Sequence, residues 1–503
     1  MKLTNLFGKR VHFIGIGGVS MSGIASYFAS IGINVQGSDS ASTQNKYLEN
    51  FEEKNIKIFP NHIAQNISQE IDLIIKTSTI KDDNPEIIEA KKHGIKIIER
   101  FDALEMIISQ FKTKIAISGS SGKTTTTALT WQALSNQTEK PSCIIGTVLN
   151  EFESSVFVNE KSDLCVIEAD ESDGMFADLA FNIAIITDID ADHLDHQRYQ
   201  NNREKLIHHF EIFVEKTLNN GGIVIYNINC KTTHNLMEKY LSTHKDRIFS
   251  YSGLELILPE LVTNFQKGDL YLENVQNTQN GLNFSCNGIL NIENIAIPMI
   301  GKINAFNALP GIILANQLLN LQSNTILENF KGAQKRCEII GTANNITIID
   351  DYAHSPKKIK AFIQGFASYA KSINAQFIII CEPHKYTRVE SLYQDYITCF
   401  DSCSNLILMP IFGIQGRDCD PNISSEKLAE DIAKHWDKNK NENIYIKCLK
   451  NNNDILLSNT FSFHEDVSNI NNKPFSGKLF YVFLGAGFSS KYAHLLYSNL
   501  NMK

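Results

Sequence analysis

A glycine-rich turn at residues 119–124 carries the residue types that bind a triphosphate. The turn reads Gly-Ser-Ser-Gly-Lys-Thr and follows an apolar stretch of the chain. Glycines let backbone N–H groups approach phosphate oxygens, and a following helix start adds the positive end of its dipole. Lys123 adds a full charge, and the hydroxyl of Thr124 can bind Mg²⁺. The turn predicts use of a nucleoside triphosphate, although Ile117 stands where the full eight-residue loop has a glycine.

Two acidic segments follow neighbouring apolar runs. The first reads Glu-Ala-Asp-Glu-Ser-Asp and begins at Glu168. The second spans residues 188–195 and contains His193. Because the carboxyl ends of parallel strands face the ligand crevice, both segments should project toward the phosphate loop. Such crowded carboxylates repel one another unless a cation lies among them, which favours Mg²⁺, or Mn²⁺, over the alternative of two solvated acidic loops.

A second glycine turn follows the first apolar run. It reads Gly15-Ile-Gly-Gly-Val-Ser, and Asp39 follows at about the spacing of a ribose-binding acid in dinucleotide folds. Ser20 replaces the third glycine of the dinucleotide fingerprint, so NAD is not favoured. A UDP-sugar needs the same backbone donors for its pyrophosphate, whereas a purely structural turn is the alternative.

Clusters of cations and histidines adjoin apolar runs in the last third of the chain. They are residues 335–336, 350–356 and 383–388. Arginine and lysine at strand ends suit phosphate and carboxylate recognition. A solvated loop explains any one cluster, but three in one region favour an anion-binding role.

Short apolar runs alternate with helical patterns in three successive parts of the chain, and these elements must position the clusters. Strands that alternate with helices form parallel sheets, so the predicted class is α/β. We expect a Rossmann-like domain over residues 1–108, a central domain with the phosphate loop over 109–324, and a doubly wound domain over 325–503. The dipeptide Asn280-Gly281 predicts a hairpin in the central part.

Composition narrows the class of protein. The chain has 503 residues and a net charge of −8, which indicates several domains and argues against a nucleic-acid partner. Its ten cysteines form no Cys-x-x-Cys pair and predict reduced thiols. The sequence shows neither a secretory signal nor a run of about 18 apolar residues, which predicts a cytoplasmic protein without membrane insertion.

Taken in order, these stretches resemble the Mur ligase family. The matching residues are 12–23, 37–39, 122–127, 168–173, 192–195, 301–307, 350–354, 384–388 and 485–487. The resemblance implies three α/β domains that bind a UDP-substrate, bind ATP and close over the site. It also implies ATP-dependent ligation of L-alanine to UDP-N-acetylmuramate through an acyl phosphate, in peptidoglycan precursor synthesis.

The resemblance further implies roles for individual residues. Catalytic roles fall to Lys123, Glu168, His193, His354 and Arg388. ATP would contact Gly119, Ser120, Ser121, Gly122, Lys123, Thr124, Thr125, Asn304, Asn307, Arg336 and Asp351. The two other substrates would contact Gly15, Gly17, Gly18, Ser38, Asp39, Ser78, Tyr352 and Lys385. Mg²⁺ would be held by Thr124, Glu168 and His193.

Some positions depart from the family pattern. Ser121 and Ser355 stand where the family usually has histidine (or asparagine at the first), Cys337 replaces an aromatic residue, and Lys385 replaces an arginine. A lysine cannot form the bidentate fork that arginine makes with a carboxylate. L-alanine is the expected acceptor. The alternatives are a sibling ligase that adds a recycled peptide or another amino acid, and a non-catalytic paralogue that binds UDP-muramyl nucleotides.

Overall fold

A computed structural model of the chain shows three β-sheets in succession, each flanked by helices. This arrangement confirms the predicted α/β class. The residues that the structure describes are 2–40, 46–48, 51–77, 79–172, 174–190, 198–259, 262–343, 345–413, 423–439, 445–452 and 478–501. Within these stretches, no helix has the length and apolar character needed to cross a bilayer.

The first sheet has five parallel strands in the order β3-β2-β1-β4-β5. The strands are β1 (Arg10–Ile14), β2 (Asn34–Ser38), β3 (Lys57–Phe59), β4 (Leu73–Lys76) and β5 (Lys96–Glu99). The helices are α1 (Val19–Ser30), α2 (Pro85–Lys92) and α3 (Arg100–Ile108). Strand order reverses beside β1, so the glycine turn after β1 lies at the crevice where such sheets bind ligands.

The second sheet has ten strands in the order β15-β14-β13-β12-β11-β10-β6-β9-β7-β8, parallel in the middle and antiparallel at both edges. The strands are β6 (Thr113–Ser118), β7 (Ser142–Leu149), β8 (Ser154–Phe157), β9 (Leu164–Glu168), β10 (Ile183–Ile186), β11 (Ile223–Asn227), β12 (Ile248–Ser252), β13 (Leu270–Thr278), β14 (Gly281–Gly288) and β15 (Ile292–Ile297). The helices are α4 (Lys123–Leu134), α5 (Arg203–Asn219), α6 (Lys231–His244) and α7 (Ile303–Leu319).

The third sheet has six strands in the order β16-β17-β21-β18-β19-β20, and only the β16–β17 pair is antiparallel. The strands are β16 (Glu338–Ala343), β17 (Ile346–Asp351), β18 (Gln376–Cys381), β19 (Asn405–Leu408), β20 (Tyr445–Cys448) and β21 (Leu479–Leu484). The helices are α8 (Pro356–Ser372), α9 (Tyr386–Ser391), α10 (Tyr393–Thr398), α11 (Ser425–Asn439) and α12 (Ser489–Asn501).

Helix α4 is the most enclosed element around the phosphate loop. Every residue of α4 after Lys123 is buried, including its four consecutive threonines. Threonine is a poor helix former, but the hydroxyl of Thr127 donates to the carbonyl of Lys123 within the helix. On one side α7 approaches so closely that a Cβ on Gly311 would lie 2.8 Å from the Cα of Thr130. Tertiary packing therefore fixes the helix that begins at the lysine.

The structure confirms several elements expected from the sequence and adds others. The Asn280-Gly281 turn joins β13 to β14, which pair from Thr278 and Gly281 onward. The β7–β8 hairpin, with its bend near Leu149, was not expected from the sequence pattern. The domain boundaries near residues 108 and 324 remain predictions.

Candidate active site

The phosphate loop bridges the end of β6 and the start of α4, and its two glycines are sterically required. Gly119 has φ +141° and Gly122 has φ +78°, conformations that side chains rarely adopt. A Cβ on Gly119 would overlap the hydroxyl of Thr187 and lie 2.8 Å from the carbonyl oxygen of Asp188. A Cβ on Gly122 would approach the amide oxygen of Asn307 to 3.1 Å. Asn307 therefore lies against the loop, and its contact with ATP stays a prediction.

Asp188, at the end of β10, holds the loop in shape. Its carboxylate accepts the N–H of Ser121 at 2.7 Å, and its carbonyl accepts the N–H of Ser120 at 3.2 Å. Burial raises the pKa of Asp188, against the opposing effect of the Ser121 N–H. The N–H groups in the first turn of α4 have no acceptor within the helix, so they remain the donors suited to phosphate.

The ammonium of Lys123 lies between a carbonyl and a buried carboxylate. Its Nζ donates to the carbonyl oxygen of Gly119 at 2.7 Å and pairs with Oε2 of Glu171 at 2.6 Å. Glu171 is fully buried, and this burial raises its pKa to about 7. Burial opposes the charge on Lys123, but the nearby carboxylates of Glu171 and Asp170 outweigh it and raise the lysine pKa. The acidic segment was predicted to surround a cation, and Lys123 is one cation that it holds.

Two of the three residues predicted to bind magnesium are in direct contact. The hydroxyl of Thr124 donates to Oε1 of Glu168 at 2.8 Å. The other carboxylate oxygen accepts the N–H of Gly146 on β7 at 2.7 Å. Hydroxyl and carboxylate oxygens are ligands that Mg²⁺ prefers, so this pair fits the ion. His193 and Ser78 lie outside the described residues, within which no cluster of three metal-binding side chains forms.

The third sheet contributes a cation to the same place. Nη2 of Arg336 donates to the hydroxyl of Thr124 at 2.9 Å, and the guanidinium lies 5.1 Å from the ring centre of Tyr352. Asp351 accepts N–H groups from Cys337 and Ala353, both at 2.8 Å. Burial raises the pKa of Asp351 to about 6, with Arg336 acting in the opposite direction. The structure thus brings Arg336, Tyr352 and Asp351 together beside the phosphate loop.

The residues predicted to contact the amino acid form a second group. Nδ1 of His354 donates to the carbonyl of Tyr352 at 2.8 Å, and burial lowers the pKa of His354 to about 3. The imidazole is therefore neutral, with Nε2 as its acceptor. Its ring centre lies 5.6 Å from that of His384, whose Nδ1 accepts from Arg388 at 3.1 Å. Lys385 adopts φ +68° beside them.

Two further stretches that carry the family resemblance make contacts within the protein. The buried Asn304 donates from its amide to the carbonyl of Ile300 at 2.8 Å, which fixes its orientation near the start of α7. The turn at residues 485–487 resembles an anion site, but Glu382 occupies it. Its carboxylate accepts three N–H groups between Gly487 and Ser489, at 3.0–3.1 Å. Sequence reasoning missed this internal anion.

The N-terminal glycine turn is shaped by the next strand. Gly15 has φ +82°, and its N–H donates to the carbonyl of Ser38 at 2.8 Å. The carboxylate of Asp39 accepts the N–H of Gly17 at 2.9 Å. Gly18 is the N-terminal capping residue of α1, so its neighbours present the positive end of the helix. These predicted substrate residues therefore form one continuous backbone turn.

A buried network supports that turn, and it was not predicted. The hydroxyl of Ser38 donates to Oε2 of Glu86 at 2.6 Å and accepts from Nδ1 of His62 at 2.8 Å. Asn66 donates to the other oxygen at 2.6 Å, and Nε2 of His12 lies 3.5 Å from it. Burial opposes ionisation of Glu86, but its bonds to the two histidines and Ser38 lower its pKa to about 2. Ser38 thus faces this network.

Contacts join the three sheets around the loop. The hydroxyl of Ser155 on β8 donates to the carbonyl of Val19, at the start of α1, at 2.7 Å. The hydroxyl of Thr147 on β7 donates to the carbonyl of Gln334 at 2.9 Å. Lys357 on α8 forms an ion pair with Asp190, after β10. The β7–β8 hairpin therefore touches both the first sheet's helix and the segment that leads into the third sheet.

Models of three Mur ligase domains match successive parts of the chain. The Mur ligase family, catalytic domain, matches residues 10–112, and the Mur ligase middle domain matches 117–315. The Mur ligase, glutamate ligase domain, matches 335–458. Together the three matches cover most of the sequence in one order.

Individual relatives agree. A UDP-N-acetylmuramate–L-alanine ligase of Methylorubrum extorquens is 32% identical, covering 89% of this chain and 96% of that protein. A ligase of the same name from Rickettsia massiliae is 34% identical, covering 86% of this chain and 87% of that protein. The solved structure of the UDP-N-acetylmuramate–alanine ligase of Thermotoga maritima shares the fold, with a TM-score of 0.73 and 22% sequence identity. The match covers 97% of this chain and 99% of that chain. From its sequence and its fold, the chain belongs to the Mur ligase family.

Proposed function

We propose that the protein uses ATP to join L-alanine to the carboxylate of UDP-N-acetylmuramate through an acyl phosphate, supplying a peptidoglycan precursor in the cytoplasm. The observation that carries the proposal is the contact of Thr124 with both Glu168 and Arg336, which unites two sheets around one phosphate loop. Relatives that cover most of the chain bear the name of this activity. Residues 1–108 take the UDP-sugar, 109–324 take ATP and 325–503 close over both.

Charge neutralisation is the first requirement of the reaction, because a carboxylate must meet a triphosphate. Lys123 and Arg336 both have charged nitrogen atoms at the loop. Charged donors in a site that excludes water stabilise the charge that develops during phosphoryl transfer. Thr124, Glu168 and His193 would hold Mg²⁺, which would supply positive charge to offset that of the reacting oxygens. Mn²⁺ satisfies the same ligands.

The other substrates are assigned to the two remaining groups of residues. The turn formed by Gly15, Gly17 and Gly18, which Ser38 and Asp39 hold through the N–H groups of Gly15 and Gly17, leads into α1. The N–H groups in the first turn of α1 lack acceptors within the helix, so they suit the diphosphate of UDP. Lys385 and Arg388 supply positive charge for the amino acid's carboxylate. The amine of that amino acid attacks the acyl carbon, with phosphate as the leaving group.

His354 is suited to receive the amine. Since its Nδ1 is committed to the carbonyl of Tyr352 and its ring is neutral, Nε2 can accept a hydrogen bond from the incoming nitrogen. A histidine with so low a pKa is a weak base, so its role is to orient the amine. The amine must therefore lose its proton mainly to solvent or to the departing phosphate.

Phosphate release tests the proposal. The protein is incubated with UDP-N-acetylmuramate, ATP and Mg²⁺, and single amino acids or muramyl tripeptide are added in parallel. We expect release that depends on L-alanine. Release that requires the tripeptide would identify the sibling ligase, and no release with any acceptor would identify a binding paralogue.

The lysine of the loop gives a sharper version of this test. We expect Lys123→Ala to abolish turnover and to leave UDP-N-acetylmuramate binding within about twofold of wild type, because the lysine serves the triphosphate. Lys112→Ala is the matched control, since Lys112 precedes β6 and pairs with Asp163 at the surface. Turnover that survives Lys123→Ala would refute the assignment of the loop.

A further inference from the structure

The ammonium of Lys123 is already neutralised in the nucleotide-free protein. Nζ donates to the carbonyl of Gly119 at 2.7 Å and forms an ion pair with Oε2 of Glu171 at 2.6 Å. Glu171 is 0% exposed, so water does not screen this pair. Nothing in the phosphate-binding role predicted for the lysine requires a buried carboxylate in contact with it.

Glu171 is anchored independently of the lysine. Its backbone carbonyl accepts the hydroxyl of Tyr199, a fully buried side chain, and the N–H of Gly174 at 3.0 Å. Its second carboxylate oxygen, Oε1, is buried and has no hydrogen-bond donor among the residues that the structure describes. Within the described residues, the backbone of Glu171 is therefore held independently of Lys123, and the lysine is the ion-pair partner of its carboxylate.

Phosphate and Glu171 compete for the same charge. A lysine in such a loop contributes to nucleotide binding through its ammonium, and a carboxylate 2.6 Å away cancels most of that contribution. Moving the ammonium to a phosphate oxygen leaves Glu171 buried without its counter-ion, so the side chain must stay charged and unpaired or take up a proton, and both cost free energy. This cost lowers the affinity of the loop for nucleotide.

We propose that Glu171 is a positioning residue that holds Lys123 as its counter-ion in the empty loop and yields it to the phosphates, thereby weakening nucleotide binding and speeding release of ADP. This inference rests on the proposed function, because it takes the nucleotide to be the ligand of the loop. It concerns a residue that the sequence comparison with the family did not assign a role.

Calorimetric titration of the full-length protein with ADP and Mg²⁺ tests the inference. In Glu171→Gln the side chain keeps its size but loses its charge, so the ammonium is free to meet phosphate. We expect the dissociation constant for ADP to fall at least threefold. A carboxylate that merely held the loop together would give the opposite sign, since its loss would disorder Lys123 and weaken binding.

Two more variants control for folding and for distant charge. Asp170→Asn removes the same charge from the adjacent residue, and we expect its effect on ADP affinity to stay below twofold. Glu171→Asp keeps the charge but shortens its reach, so ADP should bind more tightly than to wild type, though less so than to Glu171→Gln. The Asp variant decides the question if the Gln variant does not fold.

Three results would overturn the inference. They are unchanged or weaker ADP binding by the Glu171 variants, equal tightening by Asp170→Asn, and slower ADP dissociation from wild type than from Glu171→Gln in stopped-flow displacement. Failure of wild type to bind ADP at all would instead overturn the proposed function, and the inference with it. Normal alanine-dependent turnover with weakened ADP binding in Glu171→Gln would overturn the inference alone.

Discussion

Glu86→Gln tests the buried network under the glycine turn that follows β1. The Glu86 side chain is 0% exposed, and Ser38, His62 and Asn66 surround its carboxylate. Its pKa falls from an ordinary 4.5 to about 2. At about 1.4 kcal/mol per pKa unit, the charged form stabilises the fold by about 3 kcal/mol relative to a neutral side chain. Glutamine mimics the neutral form, so the variant should lose about this amount at neutral pH.

Hydrogen exchange with mass spectrometry can measure this loss locally. The two tryptophans, Trp131 and Trp436, lie outside the first sheet, so their fluorescence would not report on it. In a chain of several domains, exchange also avoids the assumption of a single unfolding transition. We expect the slowest amides of β1 and β2 to exchange about 100-fold faster in the variant. Peptides that cover β21 serve as the internal reference and should not change.

The pH dependence provides the refuting measurement. Since the pKa of Glu86 is lowered, its contribution is complete above about pH 4.5 and is lost as the pH falls toward 2. The pKa of His62 is raised, mainly by its bond to Glu86, so its contribution is present below its ordinary value and lost as the pH rises. Less than a threefold change in exchange at pH 7, or a difference that grows as the pH falls from 4.5 toward 2, would refute the reasoning.

Two substitutions test the loop and its link to the third sheet. Gly119→Ala places a Cβ against Thr187 at φ +141°, and strain of about 2–3 kcal/mol should lower kcat/KM for ATP about 100-fold, whereas a loss under fivefold would show that the loop relaxes. Arg336→Ala removes a charge-assisted bond to Thr124, and kcat/KM for ATP should fall about 10–100-fold while the affinity for UDP-N-acetylmuramate is unchanged. Equal losses for both substrates would assign Arg336 a general structural role.

Local patterns predicted the loop and its strands. Lys123 and Thr124 follow a strand and a glycine within a few residues, so their placement is set by one turn. Glu168 was predictable because it closes β9, the neighbour of β6, and carboxyl ends of adjacent parallel strands meet at one edge. The hairpin at Asn280-Gly281 was predictable from that dipeptide alone.

Buried carboxylates were not predictable in the same way. Glu86 meets Ser38 through contacts between separate crossovers of the first sheet, and Glu382, after β18, meets Gly487, after the neighbouring strand β21. Neither residue differs in local sequence from a glutamate on a solvated surface. Their roles arise from the pairing of elements that are distant in the chain. A single sequence does not reveal that pairing.

The β7–β8 hairpin connects two proposed ligand sites whose residues lie far apart in the sequence. One strand donates from Gly146 to Glu168, and the other from Ser155 to the helix that begins at the UDP turn. A displacement of that helix would be transmitted along the hairpin to the Glu168 carboxylate, which is proposed to hold the metal. Occupancy of one site would then alter affinity at the other, and thermodynamic reciprocity requires the same factor in both directions. Sugar nucleotide and magnesium would thus bind cooperatively, without touching each other.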